Sequence, residues 1–312
     1  MLSSTIDQDL LLNQGTVLRT LAYFDVFHHP LTTEEVQRFG DQASLRGKEL
    51  LLALQALKEL GLVEEHKGYW ALRDCAAAVA KREDAEARAK ARMPKALAMS
   101  KRIGRFPFVR AVFLSGSMSK GCLAPDGDID YFIITQPGRL WVARTLLVLY
   151  KKLFLLNSRR DFCVNYFIDT EHLTVEDRNR FTATEVVTLI PTYGNGNTEA
   201  FFEHNAWAFS MYPGMAHPKS LEVSIGAARR KQRWERWLSG QVGEVLDEWC
   251  MKLTWTYWKR KFSDMDVRTF DLALRTRTYV SKHHPRNFQQ RVLDGYHQRT
   301  VALERKLGAP LR

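Results

Sequence analysis

The chain has 312 residues, of which 45% are hydrophobic and 26% charged, and its formal net charge is +11. This length suggests two or three domains, and the composition is that of an ordinary globular protein. No run of eighteen apolar residues occurs, so we expect no membrane span, and four scattered cysteines without a Cys-x-x-Cys pair predict reduced thiols in a cytoplasmic protein. The positive charge favours a polyanionic partner: nucleic acid, a nucleotide or an anionic membrane surface.

The N-terminal residues predict three helices followed by a hairpin. Residues 16–27 have helical apolar spacing, Thr32-Thr33-Glu34-Glu35 is typical of a helix start, and residues 44–60 predict a third helix. The buried stripe of that third helix is predicted to contain Leu50, Leu51, Leu54, Leu57 and Leu60. Residues 61–72 then predict two short strands around a turn.

This order of elements resembles a winged helix-turn-helix domain. Such a domain reads DNA with its third helix, which here carries few basic residues: Arg46, Lys48 and Lys58. The hairpin mixes Lys67 with Glu64 and Glu65, which a phosphate backbone would repel. A DNA reader and a module that binds a partner therefore both remain open. The next stretch, 74–104, is rich in Ala, Lys, Arg and Glu and predicts a solvated helical linker, with Pro94 favouring a break into two helices.

Two short motifs carry the chemistry. An apolar run ends at Ser115-Gly116-Ser117, and ten residues later Asp128-Ile129-Asp130-Tyr131 opens a second apolar run. Side chains alternate along a strand, so Asp128 and Asp130 share one face. Two carboxylates this close repel unless a cation lies between them, and Mg²⁺ prefers one or two carboxylates plus substrate phosphates. The Gly116-Ser117 turn allows the close backbone approach that phosphate binding requires.

The two motifs together resemble the DNA polymerase β-like nucleotidyltransferases, over residues 105–170. The resemblance implies a mixed sheet with flanking helices and a two-metal transfer of a nucleoside monophosphate from a nucleoside triphosphate. Its nucleotide-binding positions correspond to Ser115, Gly116 and Ser117, and its metal ligands to Asp128 and Asp130, which would hold two Mg²⁺ ions. Lys120, one turn after Gly116, is a candidate to neutralise a phosphate.

Members of that family usually add a third acidic residue from a neighbouring strand. The strand predicted over 161–169 alternates so that one face should hold Asp161, Cys163, Asn165, Phe167 and Asp169. Its centre is Asn165, which can bind a metal through its carbonyl oxygen but cannot act as a general base. Three possibilities follow: Asp169 or Asp161 replaces the missing carboxylate, Asn165 is a weaker ligand, or the site binds nucleotide without efficient transfer.

The remaining sequence predicts helices. One covers 139–156, another covers 175–189 with Thr182 or Thr184 as its cap, and residues 199–312 are mainly helical. Six tryptophans in the last region have spacings typical of helix packing and are predicted to lie in the core: Trp207, Trp234, Trp237, Trp249, Trp255 and Trp258.

The sequence therefore predicts an α+β protein: a winged-helix-like domain (1–73), a helical linker (74–104), a mixed-sheet nucleotidyltransferase domain (105–198) and a helical C-terminal domain (199–312). The expected activity is Mg²⁺-dependent transfer of a nucleoside monophosphate to an unidentified acceptor, with nucleic acid a candidate partner of the basic surface. The alternative is a winged-helix DNA-binding regulator whose central domain senses a nucleotide with little turnover.

Overall fold

The computed structural model of the protein describes residues 2–158, 160–194, 196–224 and 229–311, with side chains from Leu12 onward. Helices and strands combine in an α+β arrangement with a mixed sheet, as the sequence predicts.

Helices and a small sheet make up the N-terminal region. Its elements are α1 (Leu2–Asp25), β1 (Leu31–Thr32), α2 (Thr33–Phe39), α3 (Gly47–Glu59), β2 (Glu64–His66) and β3 (Tyr69–Ala71). The strands pair antiparallel in the order β1-β3-β2. At the start of α2 the Thr32 hydroxyl accepts from the Glu35 N–H at 3.2 Å, and the Glu35 carboxylate accepts from the Thr32 N–H at 2.9 Å. This reciprocal capping explains why the helix begins where the sequence predicts it.

The leucines of α3 divide between its two faces. Leu50, Leu54 and Leu57 are fully buried, since residues three and four apart share one face of a helix. The prediction was wrong for Leu51 and Leu60, which are exposed. Leu51 lies about 100° around the helix from Leu50, and Leu60 follows the last helical residue.

A single long helix, α4 (Cys75–Gly104), passes through Pro94 without the predicted break. Proline removes one backbone donor, but Ala89 and Ala96 on either side are buried, so packing keeps the helix continuous. The helix is also more than a solvated linker. Arg88 Nε donates to the Leu123 carbonyl at 2.8 Å, and Arg92 donates to the Gly127 carbonyl at 3.1 Å, so α4 supports the loop before Asp128.

A six-stranded sheet forms the centre of the molecule. Its strands and the adjoining helices are β4 (Val109–Ser115), α5 (Gly116–Ser119), β5 (Asp130–Thr135), α6 (Leu140–Phe154), β6 (Cys163–Asp169), α7 (Arg180–Val187), β7 (Ile190–Tyr193), β8 (Thr276–Arg277) and β9 (Val280–Lys282). The strand order is β7-β4-β5-β6-β9-β8, in which β5 and β6 are parallel and the other pairs antiparallel. Two of these strands belong to the C-terminal region, so the sheet extends beyond residues 105–198.

The two faces of the sheet pack against different partners. Val112 and Ile133 face a core shared with α4 and α6. Phe113 and Phe132 face the other way, into a core that continues through α7 to the N-terminal helices. The N-terminal helices therefore share a continuous core with the sheet, and this fixes their position beside the strand ends.

The described residues after β7 form six further helices: α8 (Asn197–His204), α9 (Ala206–Ser210), α10 (Arg229–Trp237), α11 (Gln241–Lys261), α12 (Val267–Ala273) and α13 (Phe288–Leu307). The last of them returns to the N-terminus, where Arg299 Nε donates to the Asp25 carboxylate at 2.5 Å. In the part of the chain that the structure describes, no helix is both long enough and apolar enough to cross a membrane.

The predicted core position of the six tryptophans is correct for Trp258, holds in part for Trp207, which packs half-buried against the core, and is wrong for the other four. Trp234, Trp237, Trp249 and Trp255 are 42–67% exposed. Helical spacing places apolar residues on one face, but it does not guarantee that another element covers that face.

Candidate active site

The turn after β4 needs glycine for two independent reasons. Gly116 has a φ of +65°, in the left-handed region that L side chains rarely adopt. A Cβ at this position would also lie 2.6 Å from Oδ2 of Asp130, well inside van der Waals contact. The backbone turn that the sequence predicts for phosphate binding therefore lies directly against the carboxylate predicted for metal binding.

Strand pairing produces this contact. Ser115, the last residue of β4, is paired with Asp130, the first residue of β5. Asp128 precedes the strand by two residues, in the loop that α4 supports. Both carboxylates and the turn line the same cleft.

The Asp130 carboxyl has an unfavourable environment for its negative charge. Burial raises its pKa from the ordinary 3.8 to about 7, and the negative charges of Asp128 and Glu185 add to the rise. A hydrogen bond from the Cys163 thiol and the positive charge of Lys120 lower the pKa of Asp130 and offset only part of the rise. A cation placed beside Asp130 would therefore be strongly favoured.

Asn165 fixes the position of the Asp130 carboxylate. Its Nδ2 donates to Asp130 Oδ1 at 2.8 Å, while its own Oδ1 accepts from the Cys163 thiol at 3.2 Å. The pairing of β5 with β6 shifts register at this point, from Tyr131–Val164 to Phe132–Tyr166. The shift interrupts simple alternation.

Because of the register shift, the side chains of β6 do not divide between its two faces as the sequence predicts. Val164 and Phe167 pack into the same core, whereas Asn165 lines the cleft. The prediction that Phe167 shares a face with Asn165 was therefore wrong. Asn165 itself lies next to Asp130 and lines the cleft, so it is the candidate for a third ligand that the strand brings to the two motifs.

The other two candidates for the third carboxylate lie elsewhere. Asp169 pairs with Thr135 at the far end of β5, and its Oδ1 accepts from the backbone N–H groups of Glu171 and His172 at 3.0 and 2.9 Å. It therefore closes the turn after β6 and lies away from the cleft. Asp161 forms ion pairs with Arg92 and Lys95 on α4. Neither residue lines the cleft with Asp130.

Lys120 and Glu185 form an ion pair at the site. Lys120 Nζ lies 2.8 Å from Glu185 Oε1 and donates to the Gly116 carbonyl at 3.1 Å, so it also braces the glycine turn. Glu185 is a site residue that sequence reasoning missed. It belongs to α7, which begins after Asn179 and not at the predicted residue 175, and the Asn179 side chain caps it in place of Thr182 or Thr184. Nothing in the local sequence indicates which face of α7 meets the cleft.

The cleft is large and has walls from three parts of the chain. Its volume is about 1440 Å³. One wall contains Phe24 and Arg38 of the N-terminal helices together with Phe27 and His28 of the turn after α1, and another contains the loop between β9 and α13. Basic side chains are distributed along these walls: Arg38, Lys81, Arg88, Lys120, Lys219 and Arg286. Two histidines in the walls, His29 and His284, are neutral at pH 7, because burial lowers the pKa of each to about 4.

The structure thus brings together Ser115, Gly116, Ser117, Lys120, Asp128, Asp130 and Asn165. Within residues 2–158, 160–194, 196–224 and 229–311, no group of three or more His, Cys, Asp or Glu side chains could hold a metal ion. Comparison with known proteins gives no match: no family model, no curated protein and no solved structure matches the chain.

Proposed function

We propose that the protein is a Mg²⁺-dependent nucleotidyltransferase, which moves a nucleoside monophosphate from a nucleoside triphosphate to an acceptor hydroxyl. The observation that supports this proposal most is the contact between Gly116 and Asp130. The contact joins a turn suited to a triphosphate with a carboxylate suited to the metal that accompanies a triphosphate. The turn and the carboxylate can lie this close because glycine has no Cβ.

Asp128 and Asp130 fit a metal that arrives with its substrate. Mg²⁺ is typically bound by one or two carboxylates together with substrate phosphates, and a site with only two carboxylates meets that description. The raised pKa of Asp130 means that a dication would relieve unfavourable charge there. If two ions bind, as the resemblance implies, Asp128 and Asp130 must share them. Bound Mg²⁺ would neutralise charge on the phosphates and on the attacking and leaving oxygens.

The other side chains of the cleft have supporting roles in this proposal. The Gly116-Ser117 backbone approaches the triphosphate, and Ser115 and Ser117 offer hydroxyls beside it. Lys120 exchanges Glu185 for a phosphate oxygen while it continues to brace the turn. Asn165 holds the Asp130 carboxylate in one orientation, and because an amide is not basic it takes no part in proton transfer.

The reaction needs positioning more than covalent chemistry from the protein. An acceptor hydroxyl oxygen forms a bond to the α-phosphorus and its proton passes to solvent in the open cleft, while the bond from that phosphorus to pyrophosphate breaks and pyrophosphate leaves. A ligand pocket of ordinary size is about 300–1,000 Å³. The cleft exceeds this range, so it can hold a triphosphate and an acceptor together. The N-terminal helices form the wall nearest to the acceptor in this proposal, which gives the winged-helix-like region a role that does not need DNA.

A second function is favoured by Asn165. Where a third carboxylate is missing, a nucleotide can bind without being turned over efficiently, and the protein would then be a nucleotide-sensing, winged-helix DNA-binding regulator. The two functions differ in whether the α-phosphate becomes attached to anything.

The test uses each nucleoside triphosphate, labelled in turn on the α- and the γ-phosphate, with Mg²⁺ and a cell extract as the source of acceptors. Transferase activity predicts α-label on an acceptor and γ-label in pyrophosphate. Asp130→Asn should abolish transfer, whereas Asp126→Asn, in the same loop but exposed, serves as the matched control and should retain it. Saturable nucleotide binding with no α-label transferred would favour the regulator.

A further inference from the structure

One face of α11 exposes a continuous apolar stripe. The helix buries Gly243, Asp247 and Trp258 against the rest of the molecule. On another face it exposes the α11 stripe, in which each member has another three or four residues away: Val242, Val245, Leu246, Trp249, Leu253 and Tyr257. Such spacing places these side chains along one line of a helix. Monomeric proteins rarely expose apolar side chains in this way unless the surface binds something.

Two neighbouring helices, α10 and α6, also expose apolar side chains. α10 leads into α11 through Gly240, and its Trp234 and Trp237 are exposed, with ring centroids 5.6 Å apart. α6 packs on α11, where the Val142 N–H donates to Asp247 Oδ1 at 2.8 Å, and it ends in the exposed Leu153 and Phe154. Three adjoining helices thus present aromatic and aliphatic side chains to solvent.

The same segment is strongly basic. Residues 229–261 contain nine Lys or Arg and four Asp or Glu. One of the nine basic residues, Lys231, is buried. Three of the four acids are already engaged, because Glu235 pairs with Arg110 at 2.7 Å, Glu248 pairs with Lys252 at 2.6 Å and Asp247 is buried. Lys259 lies over the Trp255 ring at 3.9 Å, a cation–π contact on this helix.

We propose that α10 and α11 bind the surface of an anionic lipid bilayer, with the α11 stripe inserted at the level of the headgroups. Exposed tryptophan and leucine on one face, with lysine and arginine around them, are characteristic of helices that lie in the interface. At about 1.5 Å per residue, α11 is about 30 Å long and can lie in the membrane plane without spanning the bilayer.

Charge decides between this partner and a second copy of the chain. An isologous dimer through the same face would place two segments of net charge +5 (nine basic less four acidic residues) against each other, at a cost in repulsion. Anionic headgroups attract such a segment. The inference is independent of the proposed chemistry in the cleft.

The test is co-sedimentation of the full chain with two kinds of vesicle: phosphatidylcholine alone, and phosphatidylcholine with about one third phosphatidylserine. We expect binding to the anionic vesicles, weakened by high salt, with a blue shift of tryptophan fluorescence. The double variant Leu246→Gln, Leu253→Gln should lower the vesicle partition coefficient about tenfold or more, because two leucines no longer leave water.

The matched control is Leu51→Gln on α3 combined with Leu60→Gln directly after it. Leu60 is 63% exposed and Leu253 is 61% exposed, so the two double variants remove similar apolar surface from different places. The control should bind as the wild type does. Absence of binding to anionic vesicles would overturn the proposal, as would equal binding to both vesicle types or equal loss in both variants. A dimer in light scattering that becomes monomeric only in the α11 variant, without vesicle binding, would assign the stripe to self-association instead.

Discussion

The substitution Asp130→Asn should stabilise the protein at neutral pH in the absence of a divalent cation. The wild-type carboxyl is partly buried beside Gly116, accepts a hydrogen bond from Asn165, and lies near two other negative charges. Asparagine keeps an acceptor oxygen for the Asn165 amide and removes the charge. The variant therefore removes the electrostatic cost and leaves the main contact in place.

The magnitude follows from the pKa of Asp130. The folded pKa is about 7, against an ordinary 3.8 in the unfolded chain. Because the folded state binds the proton more tightly, the carboxyl costs no stability below pH 4. The cost grows as the pH rises and is complete above about pH 7, where it reaches about 4 kcal/mol by proton linkage. Local relaxation and water reduce this value, so we expect about 2–3 kcal/mol.

The assay is thermal or urea unfolding between pH 4 and pH 8 in the presence of a chelator. The wild type should lose stability relative to Asp130→Asn as the pH rises from 4 to 7, and the two should coincide near pH 4. Added Mg²⁺ should stabilise the wild type and leave the variant unchanged. Asp126→Asn controls for loss of a charge from the same loop. If the difference in stability between the wild type and Asp130→Asn does not depend on pH, the electrostatic explanation is refuted.

Three further predictions concern the site and the N-terminal region. Gly116→Ala should lower the free energy of unfolding by about 2 kcal/mol or more, because its Cβ meets Asp130 and its φ is positive, and titration calorimetry should show weaker nucleotide binding. Asn165→Asp should lower the melting temperature without Mg²⁺ and raise the affinity for Mg²⁺ in calorimetry, since it adds a carboxylate beside Asp130; unchanged Mg²⁺ affinity would exclude this position as a ligand. In fluorescence anisotropy the full chain should bind duplex DNA weakly, and the affinity should fall as the salt concentration rises, because Lys58 and Lys67 pair with acids of the chain itself. Tight, sequence-selective binding at physiological salt would favour the regulator.

Local sequence patterns predicted much of the fold and, within the site, the Gly116 turn and its position beside Asp130. The capping box at Thr32 depends on four consecutive residues, and the turn at Gly116 depends on a small residue between an apolar strand and a short helix. The contact between Gly116 and Asp130 also follows from local sequence, because β4 and β5 are consecutive strands of the chain and pair antiparallel with each other.

The features that the sequence did not predict depend on contacts between distant segments. The register shift beside Asn165 reflects how β6 pairs with β5, and the position of Glu185 reflects how α7 packs over the cleft. The exposure of Trp249 has a similar origin. Periodicity shows that α11 has an apolar face, but whether another helix covers that face is decided by the whole fold.

We propose that Asp128 and Asp130 support nucleotide transfer. The decisive measurement compares the wild type with the Asp128→Asn, Asp130→Asn double variant in the α-labelled nucleoside triphosphate assay with Mg²⁺, at equal concentrations of folded protein. We expect labelled acceptor with the wild type and with Asp126→Asn, and none with the double variant. Transfer by the double variant at the wild-type rate would show that these two carboxylates are not needed.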